Sequence, residues 1–182
     1  VEAFTMERVG KSGSKFDPEK AKWFNQQYLR RRTDLELAEA FLPFLQEKGI
    51  SASVGYTAQV AGMVKERLHF THEIWDQSWF FFQAPHTYDP EVVKKRWKPE
   101  TSSLMNDLVI TLAGTEDFSV LGLDHTIRQF LEEKQAGMGA VMNALRLCLT
   151  GGAMGPHLTE IMSLLGKEES VNRIRKAIQT LG

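Results

Sequence analysis

A single cysteine, Cys148, in a chain of 182 residues leaves no partner for an intrachain disulfide and excludes a Cys-x-x-Cys metal site. Cysteine use this sparse fits a reducing, cytoplasmic compartment. Long apolar runs are missing too: none approaches the roughly 18 residues needed to cross a bilayer, so no membrane partner is expected. Glycine (14) and proline (6) are few and scattered, with no Gly-Ser or proline tract, which argues against a linker or a disordered chain. The opening Val1-Glu2-Ala3-Phe4-Thr5 has neither an initiator methionine nor the basic-then-apolar layout of a signal peptide. The start is therefore expected to be a cut inside a longer protein. Strand signals are equally scarce. Residues 50–54 alternate briefly and residues 79–82 form a short apolar run, but no hairpin turn accompanies either.

The sequence does contain repeated helix signals. Asp17-Pro18 pairs an N-cap with proline at the first helical position, where the missing donor costs nothing. Thr33-x-x-Glu36 is a capping box ahead of Leu35, Leu37, Ala38, Phe41, Leu42 and Leu45, with Gly49 as the stop. Pro43 is expected to kink or divide that helix. Further helical spacing covers residues 57–68, 71–82, 90–97, 99–112, 124–135, 138–149, 156–165 and 168–181. The expected class is all-α, in two consecutive bundle-like helical subdomains. A leader over residues 1–32, a small helical unit over 33–82 and a larger one over 83–182 are expected from a change of charge sign and the Gln83-Ala84-Pro85-His86 break.

Charge is uneven under a net value of −1. Residues 1–32 carry eight Lys/Arg against four Asp/Glu, residues 33–137 nine against sixteen, and residues 138–182 five against three. A polyanion would thus be held locally, because charges more than about 8 Å apart are screened at physiological salt. The same runs also suit solvated helix faces.

Self-sufficient catalytic motifs are not found. Gly10-Lys11-Ser12 lacks the earlier glycine of a phosphate loop, since Thr5 stands there. His69 and His72 are three apart beside Glu73, but without HExxH or a third ligand they do not make a zinc site, and no metal is expected. Cys148 lies among Leu145, Leu147 and Leu149, as a buried thiol rather than a nucleophile. The aromatics Trp75, Trp79, Phe80, Phe81 and Phe82 fall at helical spacing and are expected in the core.

Several stretches resemble a known family. FTMERVGKSGSKFDPEKAKWFNQQYL, with its Trp23-x-Asn25-x-x-Tyr28 spacing, VKERLHFTHEIWDQSWFFF, and LRLCLTGGAMGPHLTEIMSLLGKEESVNRIRKAI are similar, in order, to the C-terminal part of bacterial glutamyl-tRNA synthetases. The resemblance covers the chain from end to end. The HIGH-like and KMSKS-like signatures of that class I aminoacyl-tRNA synthetase family do not occur here. What the resemblance implies is a tRNA(Glu)-binding, anticodon-recognising part without catalytic residues or a cofactor of its own. ATP and Mg2+ would serve the catalytic domain of a parent enzyme, expected to be monomeric, and no DNA partner is implied.

By matching motif, Arg146 in LRLCLTG takes the place of an arginine that contacts anticodon bases in the family. Gly155, Pro156 and Leu158 take the place of the adjoining loop that packs around splayed bases. Gly155 stands where some members have threonine, leaving backbone groups in place of a hydroxyl. Arg67 in VKERL falls where the family has an arginine implicated in reading the third anticodon base. Arginine has donors only, which suits the two adjacent acceptors of cytosine and not the two donor groups on guanine's pairing edge. The alternative for Arg67 is a surface ion pair with Glu66 or Glu73. Lys11, Lys15, Arg30, Arg31 and Arg32 are the expected, weaker contacts to the tRNA backbone. Two other readings remain open: a nondiscriminating synthetase part that also binds tRNA(Gln), and a helical protein-interaction module.

Overall fold

A computed structural model describes residues 17–182, which form ten α-helices and no strand among the described residues. In chain order these are α1 (Pro18–Arg31), α2 (Asp34–Glu47), α3 (Val54–Val64), α4 (Glu73–Phe82), α5 (Pro90–Arg96), α6 (Thr101–Gly114), α7 (Val120–Lys134), α8 (Met138–Thr150), α9 (Leu158–Leu165) and α10 (Lys167–Leu181). A 3-10 turn, Lys65–Arg67, extends the end of α3. The all-α class expected from the sequence is the class observed.

Local chemistry explains most boundaries. Asp17 accepts hydrogen bonds from the backbone N–H groups of Glu19 and Lys20, and the capping box of α2 is complete, Thr33 and Glu36 each accepting from the other's backbone. Gly49, at φ +73°, closes α2 in a Schellman arrangement, with Ile50 N–H donating to the Leu45 carbonyl at 2.9 Å. Pro43 does not divide α2, which runs unbroken through it. Pro43 and Glu39, whose carbonyl loses a donor, are both exposed residues, on the side of the helix open to solvent. The run at residues 79–82 ends α4 rather than forming a strand.

Two starts differ from the sequence reading by more than two residues, those of α3 and α7, while α4, α6, α9 and α10 begin within two residues of it. α3 begins at Val54 because Ser53 caps it, and α7 begins at Val120 because the Ser119 hydroxyl accepts from Gly122 N–H at 3.2 Å. In both, a serine cap compensates for a glycine in the first turn, a residue with low helix propensity.

The helices bury two main cores. One gathers Leu29, Leu37, Phe41, Leu45, Ala61, Val64, Leu68 and Ile74, drawn from α1 to α4. The other, larger core is built from α6 to α10, around Met105, Leu108, Leu112, Phe130, Leu145 and Ile174. Val60, Phe80, Phe81 and Ile161 form a third cluster where α3 and α4 meet α9. Phe80 and Phe81 are thus core, while Trp75, Trp79 and Phe82 are half-buried around them.

Arg173 crosses this junction. Its Nη1 donates to the carbonyls of Phe80 (2.6 Å) and Leu149 (2.9 Å), and its Nε pairs with Glu169 at 2.7 Å. Those carbonyls sit in the last turns of α4 and α8, where no intrahelical donor remains for them. Tyr56 does the same for the next carbonyl, its hydroxyl donating to Phe81 at 2.8 Å. The ends of two helices are therefore capped by side chains from elsewhere in the fold, with a cation at the negative ends of both helix dipoles.

Cys148 is fully buried on α8, and burial pushes its thiol up to about 12 from the ordinary 9.0. Little thiolate forms in the folded protein at pH 8, so a thiol-labelling reagent is expected to leave the native chain unmodified and to react on addition of denaturant. Labelling of the native protein at the denatured rate would contradict this burial. The sign of the linkage follows. The unfolded thiol ionises near 9 and the folded one only near 12, so this group's contribution to stability declines as pH rises through that window.

Candidate nucleic-acid interface

Arg146, Gly155, Pro156 and Leu158 come from one stretch of chain, α8 to the start of α9. α8 ends at Gly151, whose φ of +73° turns the backbone out of the helix, and a loop then leads through Gly155 and Pro156 into α9 at Leu158. Arg146 lies on α8 between the fully buried Leu145 and Leu147, with its own side chain half-buried. The guanidinium extends beneath the loop, because a Cβ on Gly155 would lie 3.1 Å from Arg146 Nη1, 3.3 Å from Phe80 Cζ and 3.4 Å from Ile161 Cδ1. With φ at +137° as well, this position suits glycine alone. This loop thus offers backbone at Gly155 and leaves the space to Arg146.

Arg67 arrives from the turn that follows α3. It is exposed on the 3-10 turn between the buried Val64 and Leu68, which anchor the turn at both ends. Its Nη1 donates to the Gly155 carbonyl at 2.7 Å, across a separation of 88 residues. The fold thus brings Arg67, Arg146 and Gly155 together. Pro156 and Leu158 adjoin them but are buried, Leu158 within the larger core, so they shape the loop from beneath. His157 is exposed and its Nδ1 lies 2.9 Å from the Thr159 hydroxyl.

The electrostatics of this meeting point are one-sided. Arg146 Nη1 is buried without a hydrogen-bond partner. Desolvation, and secondarily the positive charge of Arg67, lower the pKa of Arg146. An arginine nonetheless remains charged at neutral pH. Neither guanidinium is paired with a carboxylate among the described residues. The acids proposed as alternative partners of Arg67 are engaged elsewhere. Glu66 pairs with Arg30 at 2.8 Å, and Glu73 accepts from the backbone N–H groups of His69 (2.6 Å) and Phe70 (3.1 Å). Two donor-only groups with spare N–H bonds and no carboxylate partner make a site for acceptor-rich ligands, such as base carbonyl edges or phosphate oxygens.

The remaining basic residues are dispersed. Arg31 is exposed in the last turn of α1, and Arg32 lies 5.4 Å from the centre of the Tyr28 ring. Lys11 and Lys15, with the Gly10-Lys11-Ser12 stretch, lie outside the described residues. His72 is exposed and stacks on Phe70, and no group of three or more His, Cys, Asp or Glu side chains converges among the described residues. Sequence reasoning missed Arg173, which joins the ends of α4 and α8, and Asn25 and Gln26, which touch the Arg67 turn. No periodicity or motif signals contacts over such separations, although Asn25 did belong to the spacing that carried the family resemblance.

Known proteins of similar sequence and fold identify the family. The family model described as anticodon binding domain matches residues 36–178. The chain is 49% identical over 181 residues to the glutamate–tRNA ligase of Flavobacterium psychrophilum and 44% identical over 182 residues to that of Porphyromonas gingivalis strain W83. In both cases it is covered completely but spans only 36% of the relative's length. Among solved structures, the glutamate tRNA ligase of Elizabethkingia meningosepticum, in complex with its amino acid, superposes with a TM-score of 0.90 at 39% identity, covering 98% of this chain and 36% of that one. The Elizabethkingia anophelis glutamate-tRNA synthetase gives a TM-score of 0.84 at 36% identity, over 97% and 34% of the two chains. With more than three quarters of its residues inside the family match and its full length aligned to these ligases, the chain belongs to the anticodon binding domain family, in the form that glutamate–tRNA ligases carry.

Proposed function

We propose that this chain is the tRNA(Glu) anticodon-recognising part of a glutamate–tRNA ligase, whose whole protein activates glutamate with ATP and transfers it to tRNA. The observation that carries this reading is the convergence of Arg67 and Arg146 on Gly155 without a neutralising carboxylate. Specific RNA recognition usually targets unstacked loop bases, whose pairing edges are open to hydrogen bonds. Arg146 supplies donors from a half-buried position, where a bond to a base edge is worth more than in water. Arg67 donates to the third anticodon base and favours cytosine over guanine, while Gly155 contributes backbone and Pro156 and Leu158 hold the loop. Lys11, Lys15, Arg31 and Arg32 supply attraction to the phosphate backbone. Residues 1–32 then close a stem-contacting segment, 33–82 form a small helical domain and 83–182 the larger anticodon-binding one. Glutamate activation, with its ATP and Mg2+, belongs to parts of the ligase outside this chain, in a monomeric cytoplasmic enzyme.

The test is a binding titration, at one stated salt concentration, of two anticodon stem-loops that differ only in cytosine or guanine at the third anticodon position. A preference for cytosine of about tenfold or more is expected, the equivalent of roughly 1.4 kcal/mol for donors left unpaired against guanine. Equal binding would leave a nondiscriminating part that also takes tRNA(Gln). Failure to bind either stem-loop would favour the protein-interaction reading.

A further inference from the structure

Three side chains from one face of α1 end on the backbone that carries Arg67. The Asn25 amide donates to the His69 carbonyl, the Gln26 amide to the Glu66 carbonyl at 3.3 Å, and Arg30 Nη2 to that same carbonyl at 3.4 Å. Arg30 Nε also pairs with the Glu66 carboxylate at 2.8 Å. These acceptors stand on both sides of Arg67 in the chain. The segment they grip, residues 66–69, includes most of the three-residue 3-10 turn and the residues after it, and one internal bond, Leu68 N–H to the Lys65 carbonyl at 3.2 Å, closes the turn. A turn this short has little rigidity of its own, so its orientation follows from what holds it. Lys65 is tied to Asp34 at 3.0 Å and Glu73 fixes the N–H groups that follow, which leaves the side facing α1 to Asn25, Gln26 and Arg30.

We propose that Arg30, through Glu66, is a positioning residue for base discrimination, holding the turn so that the Arg67 guanidinium stays at the Gly155 carbonyl instead of ranging over solvent. The inference rests on Arg67 reading a base. It differs from a direct role of Arg30 at a phosphate, because the cation is already engaged by Glu66. An arginine that misses a base edge by an ångström loses its selectivity before its general attraction to RNA, since Coulombic attraction varies more slowly with distance and angle than a hydrogen bond. The Arg30 and Glu66 side chains are 37% and 68% exposed, so an ion pair between them adds little to folding stability and its removal should leave the fold intact.

Arg30→Gln and Glu66→Gln separate the possibilities when each variant is titrated against the cytosine and guanine stem-loops across a range of salt. Both variants are expected to lower the cytosine preference by about threefold or more, the scale of one surface ion pair. Melting temperature and salt dependence are expected to stay unchanged, and the double variant to lose no more than either single one, as residues acting as a unit do. Glu66→Gln is the sharper variant, because it leaves the Arg30 cation in place and removes negative charge near the RNA. A phosphate contact at Arg30 would instead show as equal weakening of both stem-loops in Arg30→Gln, a salt slope reduced by about 0.7 to 0.9, and unchanged or tighter binding in Glu66→Gln. That pattern overturns the proposal, as does an unaltered cytosine preference in both variants. Absence of any cytosine preference in the unsubstituted chain would overturn the base-reading function itself, and this inference with it.

Discussion

Replacing Arg146 with alanine is expected to weaken binding of a tRNA(Glu) anticodon stem-loop by about 1 to 3 kcal/mol, roughly fivefold to 150-fold in Kd, without lowering the melting temperature of the chain. The two halves of this expectation come from the same observation. Nη1 of Arg146 is buried with no acceptor, beneath a loop whose glycine leaves room for the guanidinium and no more. In the free protein such a donor is a cost, increased by the positive charge of Arg67. Its removal relieves that cost while opening a gap below Gly155, so the two effects on folding oppose each other. In the complex the same donor gains an acceptor, and the energy withheld from folding is available to binding. Isothermal titration with the stem-loop and a thermal melt of the free chain test both halves. Unchanged affinity would remove Arg146 from the site, and a large loss of melting temperature would make it a structural residue.

Arg173→Met is expected to destabilise the fold by about 3 kcal/mol, the largest effect anticipated for a single substitution outside the apolar core. Methionine fills much of the same volume but donates nothing. The Phe80 and Leu149 carbonyls, at helix ends with no backbone donor to turn to, would be left unpaired in a buried junction. Glu169, with a side chain 42% exposed, can return to water and adds little to the loss. The cost thus comes from two stranded acceptors rather than from a broken ion pair, and a lysine, with one ammonium in place of a planar fork, should recover only part of it. Urea denaturation measures the change as a shift of midpoint. A shift corresponding to less than about 1 kcal/mol would mean that water reaches both carbonyls.

These two arginines also show where a reading of the sequence stops. Arg146 was singled out through its place in LRLCLTG, because a motif is a local pattern. Arg173 looks like an ordinary charge on an amphipathic helix, with Glu169 one turn earlier as a routine partner. Nothing near it in the chain signals that its guanidinium reaches the ends of α4 and α8. Pro43 gives the reverse case. Its chemistry predicts a kink or a division, and α2 is not divided, with both Pro43 and Glu39, whose carbonyl loses a donor, on the exposed face of the helix, a property of packing.

The sequence by itself determined the helical class, the capped starts at Asp17 and Thr33, the stop at Gly49 and the apolar stripes that became the two cores. Each of these depends on groups within about one helical turn of one another, or on a periodicity that any window reveals. Only the tertiary structure decided that Arg67 would meet Gly155 from 88 residues away, that Glu66 would answer Arg30 instead of Arg67, and that one arginine would join the ends of two helices. Such contacts depend on the relative placement of whole helices, which is set by the summed burial of many apolar side chains and carries no signature at the polar residues it brings together.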